Sequence, residues 1–166
     1  MKKSQITAIN RIIKNNNDRP ALKGYFINDG KYIVTDGYTA ARFDTIPEEI
    51  NPAPPALVNM RPFFNLNNFN TCAPIDAPAL STLTEIIREK RAQKIPGYSV
   101  DSLPLYIFEL NGARVAVNAK YLKNLLNIIP AAVIYFSYNR PEISALYIKS
   151  KTDNIDGLIM PVRVTK

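Results

Sequence analysis

Histidine is absent from the 166 residues, and cysteine occurs once, as Cys72. A lone thiol forms no internal disulfide, and without imidazoles or a thiol cluster the common zinc and facial-triad iron sites cannot be assembled. Acidic residues are also scarce: 14 Asp and Glu stand against 21 Lys and Arg, leaving a formal charge of +7 and a pI near 9.5. A surplus of this sign favours a polyanionic partner and says nothing about fold. The start, Met1-Lys2-Lys3, has a basic pair but is followed by a polar-interrupted segment and no continuous apolar stretch. Neither a signal peptide nor a membrane span is expected, so a cytoplasmic protein without a membrane partner is.

Catalytic signatures are missing as well. No phosphate-cradling Gly-Lys-Ser/Thr, nucleophile elbow or dinucleotide fingerprint occurs. Asp29, Asp36, Asp44, Glu48 and Glu49 could be imagined as a magnesium site for phosphoryl transfer, but they fall in turns and a proline-rich loop at no metal-ligand spacing. The expectation is a protein without catalysis, metal or cofactor, with a metal-dependent phosphoryl-transfer enzyme as the weaker alternative.

What is present is a chain that is 46% hydrophobic, enough for one well-buried core. From Ser4 to Asn16, Ile6, Ile9, Ile12 and Ile13 recur at helical spacing with Arg11 and Lys14 among the polar positions. Short β-prone runs follow at Leu22 to Ile27, Tyr32 to Thr35 and Thr39 to Phe43, the first two joined by the turn-prone Asn28-Asp29-Gly30. Between Thr45 and Leu80 lie seven of the thirteen prolines, which predicts an irregular insertion. A short charged helix is predicted over Thr82 to Gln93, where Thr82 and Glu85 have capping-box spacing and Arg88, Lys90, Arg91 and Lys94 cluster.

A hairpin is then expected from Leu105 to Leu110 and Arg114 to Val117 around Asn111-Gly112. Asn118 is a candidate cap for a helix that carries Tyr121, Leu122, Leu125, Leu126 and Ile129 on one face and ends at Pro130. Three further strands are predicted at Val133 to Tyr138, Ile143 to Lys149 and Leu158 to Val164. The chain thus repeats the order helix, strand, strand, strand, which suggests a pseudo-symmetric α+β domain with both helices on one face of antiparallel sheets.

Two segments carry a resemblance. Val117-Asn118-Ala119-Lys120-Tyr121-Leu122, the helix and strands after it, and Leu158-Ile159-Met160-Pro161-Val162-Arg163-Val164 resemble the closing half-domain of the bacterial DNA polymerase sliding clamp (β subunit). Tyr32-Ile33-Val34-Thr35-Asp36-Gly37-Tyr38-Thr39-Ala40 is similar to the clamp segment in which Thr-Asp-Gly is followed by His-Arg-Leu-Ala; Tyr38 and Thr39 depart from it, and Ala40 replaces the Leu. The likeness covers residues 4–43 and 105–164 and leaves 45–104 as an insertion within a single clamp-like domain, 1–166.

The resemblance implies a role in DNA replication as a processivity factor, with helices facing duplex DNA and binding it nonspecifically through Arg11, Lys14, Lys120 and Lys123. It also implies a pocket for clamp-binding peptides of replication proteins. The matching positions are Thr35, Gly37, Tyr38, Ala40, Asn118, Tyr121, Leu158, Ile159, Met160, Pro161, Val162 and Arg163. Clamp chains have three such domains, so a ring built from this chain would require self-association of several copies. The alternative is a protein-interaction module that keeps the clamp fold and does not bind DNA.

Overall fold

The computed structural model of the chain describes residues 1–16, 18–54, 64, 69, 74–92, 103–110, 113–137 and 140–163. Its first helix, α1 (Lys3–Lys14), buries Ile9 and Ile12, with Ile6 and Ile13 packed alongside. Arg11 and Lys14 in the last turn complement the helix dipole. Gln5 ties down the other end, accepting from the Lys2 N–H at 2.7 Å while its Nε2 donates to the Ile128 carbonyl at 2.8 Å.

Strands β1 (Phe26–Asn28), β2 (Lys31–Thr35) and β3 (Thr39–Phe43) follow. The expected strand from Leu22 to Ile27 starts later, because Pro20–Leu22 forms a 3-10 turn. Asp29 and Gly30 take φ of 52° and 69°, the left-handed backbone that a two-residue hairpin turn requires. The chain continues through β4 (Ile75–Asp76), α2 (Leu80–Ala92), β5 (Leu105–Leu110), β6 (Ala113–Asn118) and α3 (Ala119–Ile128). It ends in β7 (Ala132–Tyr135), β8 (Leu146–Ser150) and β9 (Ile155–Ile159). Both helix-plus-three-strand units are therefore present.

The two units share a sheet. Its order is β1-β2-β3-β9-β8-β7-β4, antiparallel throughout, and the units meet where β3 pairs with β9; β5 and β6 form a separate hairpin. Because side chains alternate across a strand, one row, Val34, Ala41, Ile148 and Ile134, joins the core beneath α1 and α3. Gly157 sits in the same row, paired with Ala41 and Ile148. A Cβ there would approach the Ala40 carbonyl and Ile129 Cδ1 to 2.8 Å, so glycine sets how closely the end of α3 lies on the sheet.

The neighbouring row, Ala40, Leu158 and Tyr147, faces the other side. There it forms a separate cluster with Ile33 under Phe64 and Phe69, so the proline-rich insertion contributes buried side chains as well as loop. It also contributes β4, a short edge strand that sequence reasoning did not anticipate. Helix α2 begins at Leu80, which puts Thr82 inside the first turn instead of at a cap; Leu83 is buried and Ile86 and Ile87 pack on the core.

The last three strands are shifted from their expected bounds for local reasons. The N–H groups of Ile143 and Ser144 both donate to the Arg140 carbonyl at 3.1 Å, forming a turn, so β8 starts only at Leu146. Pro161 has no N–H, and β9 stops at Ile159 instead of running to Val164. The Asn111-Gly112 turn, Cys72, Lys94, Tyr138 and Val164 lie outside the described residues. Among the described residues, no helix is long and apolar enough to cross a membrane.

Candidate docking site

At the end of the sheet where β3 begins and β9 finishes, the two segments that carry the resemblance meet. The Met160 N–H donates to the Tyr38 carbonyl at 2.8 Å, and after Pro161 the Val162 N–H donates to the Ala116 carbonyl at 2.7 Å. Met160-Pro161-Val162 is therefore the crossing from the large sheet to the hairpin. Tyr38 stacks on Tyr121 with centroids 5.9 Å apart and planes at 17°. Tyr38 is 52% exposed and Met160 41%, an apolar pair open to solvent beside a half-buried Tyr121.

The turn before β3 holds Tyr38 in place. Asp36 is 3% exposed, and its Oδ1 accepts from the Tyr38 N–H at 3.0 Å and the Thr39 N–H at 2.7 Å, while Oδ2 accepts from Asn15 Nδ2 at 3.1 Å. Thr35 Oγ1 donates to the Thr39 carbonyl at 2.6 Å and accepts from the Gly37 N–H at 3.0 Å. Gly37 has φ +84°, and its missing Cβ leaves room for the Arg19 guanidinium. Arg19 Nη1 donates to the Asp36 carbonyl at 2.9 Å, and the guanidinium lies 5.6 Å from the Tyr38 centroid. Burial, followed by the Asp36 charge, pushes the Tyr121 phenol upward, so it stays neutral.

The expected pocket residues divide into groups. Gly37, Tyr38, Met160 and Arg163 are exposed, and Tyr121, Pro161 and Val162 are half-buried around them. Thr35, Asn118 and Ile159 are buried supports; Asn118 caps α3 by accepting from the Lys120 N–H at 2.9 Å. Ala40 and Leu158 belong to the opposite face of the sheet under Phe64 and Phe69, since strand alternation points them away from the core beneath α1 and α3. Arg19 was not legible as a site residue, nor Phe64 and Phe69 as buried side chains. Arg19 stands in no motif, and the two phenylalanines sit in a segment with no periodicity.

The expected DNA-facing cations are placed by helix packing. Gln5 lies opposite Ile128, and Asn124 Nδ2 donates to the Ala8 carbonyl at 2.9 Å, so α1 and α3 run antiparallel. Continuing that register brings Arg11 to the level of Lys120 and Tyr121, with Lys14 one turn further on. All three cations are exposed. Lys123 is half-buried and lies one turn along α3 from Lys120, about 60° around the helix from it.

The carboxylates imagined as a magnesium site are not gathered. Asp36 is committed to its turn, and Asp44 lies beyond the far end of β3, where hydrogen bonding to Lys31 holds it below the usual carboxylate range. A groove of about 840 Å³ at that far end, lined by Met1, Gln5, Phe43, Asp44, Leu126 and Ile155 among others, contains none of the residues expected to contact DNA or to form the peptide pocket.

No protein-family model and no curated protein matches the chain. Solved structures do. A DnaN sliding clamp (DNA polymerase III subunit beta) from Bartonella birtlesii, bound to griselimycin, superposes with a TM-score of 0.65 at 13% identity over 97% of this chain. The DNA polymerase sliding clamp from Pseudomonas aeruginosa gives a TM-score of 0.57, also at 13% identity, over 96% of this chain. The matches span 63% and 65% of those clamp chains. The chain has a clamp-like α+β fold.

Proposed function

We propose that this chain is a non-catalytic, clamp-like protein of DNA replication that docks short peptide segments of partner proteins at the sheet end where Tyr38, Tyr121 and Met160 meet. The observation that carries the reading is the meeting itself: segments far apart in sequence converge on an exposed aromatic and thioether surface held by a satisfied turn. Such a surface suits an apolar peptide anchor, because a thioether beside an aromatic ring favours aromatic and aliphatic side chains. Residues 1–166 act as one clamp-like domain, and any ring requires several copies.

Met160→Asp places a charge on this surface while leaving the backbone bond to Tyr38 in place. Fluorescence polarisation with a labelled hexapeptide carrying a Leu-Phe anchor should show binding by the native chain and a loss of at least about tenfold in the variant. Equal affinities would refute docking at this end.

Duplex DNA is the second ligand in this reading, favoured by the exposed Arg11, Lys14 and Lys120 on the paired helices and by the net positive charge. The contact is electrostatic and independent of sequence. A partner-binding module without DNA affinity remains the competing function, separated from this one by a salt titration.

A further inference from the structure

The insertion between the two units meets the large sheet at both of its edges. An open strand edge presents unpaired N–H and C=O groups to other chains, and apolar, uncharged strands are the most prone to pair through it. Both strands concerned are of that kind: Tyr25-Phe26-Ile27 leads through β1, and Ala132-Val133-Ile134-Tyr135 is β7. At the first edge, residues 51–53 run parallel to the start of β1 and bridge it at Tyr25 and Pro52. The Tyr25 N–H donates to the Asn51 carbonyl at 3.1 Å, and its carbonyl accepts from the Ala53 N–H at 2.7 Å. Ile50, 3% exposed, anchors this segment in the core. Gly24 is its seat, since a Cβ there would meet the Asn51 oxygen and the Ala53 nitrogen at 2.5 Å. Strand alternation leaves Ile27 as the remaining outward-facing residue of β1, too short a ladder for a second chain.

At the other edge the cover is β4. Ile75 and Asp76 pair with Ile134 and Val133, and the Ala77 N–H donates to the Ala132 carbonyl at 3.1 Å. These bonds take up the outward groups of Ala132 and Ile134, whereas Val133 and Tyr135 bond inward to Lys149 and Tyr147 of β8. This cover is held more lightly than residues 51–53. It is two residues long, Ile75 and Ala77 are half-buried, and its ion pair, Asp76 with Lys151, is exposed and adds little. We infer that the insertion is an edge guard, closing both edges of the seven-stranded sheet against a second copy of this chain, and that its β4 end is the releasable half. A second copy is the partner because β7 carries no charge, so two freed strands pair antiparallel without opposing like charges. The guard stands apart from the docking reading, since it involves neither Tyr38, Tyr121 nor Met160.

Light scattering on the full chain tests the guard. Ile75→Asp together with Ala77→Pro removes the apolar anchor of β4 and the donor to Ala132, and leaves β7 itself unchanged. The folded double variant should gain mass with concentration, towards at least twice that of the native chain under the same conditions. Equal masses for the two folded proteins across the concentration series overturn the inference. Should the double variant fail to fold, native-state hydrogen exchange on the unaltered chain decides. The Ile134 amide, which faces β4, should exchange at least about tenfold faster than the Val133 and Tyr135 amides, which face β8, through an opening that leaves the rest of the sheet closed. Equal protection of the three amides would mean that β4 does not lift short of global unfolding, and overturns the inference as well.

Discussion

Single residues explain both what is open and what is fixed on this sheet. Arg42, Asp156 and Tyr147 form a partly buried group in which Asp156 receives two bonds from the guanidinium and one from the phenol. Burial, then the hydrogen bond and charge of Asp156, push the Tyr147 phenol far above its ordinary value. The sign follows from linkage: a folded-state value above the unfolded one gives stability that is whole below about pH 10 and is lost as pH rises from there. Tyr147→Phe should therefore cost about 1–2 kcal/mol at neutral pH, with the gap to the native chain narrowing above pH 10 in urea melts. A gap independent of pH would contradict the assignment. None of this was legible in the sequence, because Arg42, Tyr147 and Asp156 become neighbours only through the β3–β9–β8 register. Arg19 was hidden for the same reason: its partner carbonyl at Asp36 is a tertiary contact.

Elements were legible where a local signal was strong, and their ends shifted where a turn or a proline interrupted a β-prone run. The isoleucine stripe of α1 and the Asn118 cap of α3 express spacing and side-chain chemistry within a few residues, and both stand as read. β9 was misplaced because Leu158 to Val164 looks β-prone throughout, whereas Pro161 ends its ladder and Val162 turns to Ala116. The approach of α3 to β9 gives an element-scale prediction. Gly157→Ala should destabilise by about 1–3 kcal/mol in thermal or urea unfolding, because the new methyl meets a backbone carbonyl and Ile129. A neutral effect would mean that α3 sits less tightly than described.

For the molecule as a whole, the repeated order of helix and strands revealed the α+β architecture, while the merging of the two units into one seven-stranded sheet depended on the β3–β9 pairing. Charge was legible as a total and unreadable as a pattern, since only helix packing brings Arg11 of α1 level with Lys120 of α3. For DNA the prediction is that Arg11→Glu with Lys120→Glu weakens duplex affinity and lowers the salt slope by about 1 per lost phosphate contact. Unchanged salt dependence in the double variant would remove DNA from the proposed function.

The most direct test of docking is to titrate the labelled chain with the Leu-Phe hexapeptide and follow its backbone amides by NMR. Docking at the sheet end predicts saturable shifts centred on Tyr38, Tyr121, Met160 and Val162, with little change around Met1, Leu126 and Ile155. Shifts centred on that opposite groove, or none at all, would contradict it.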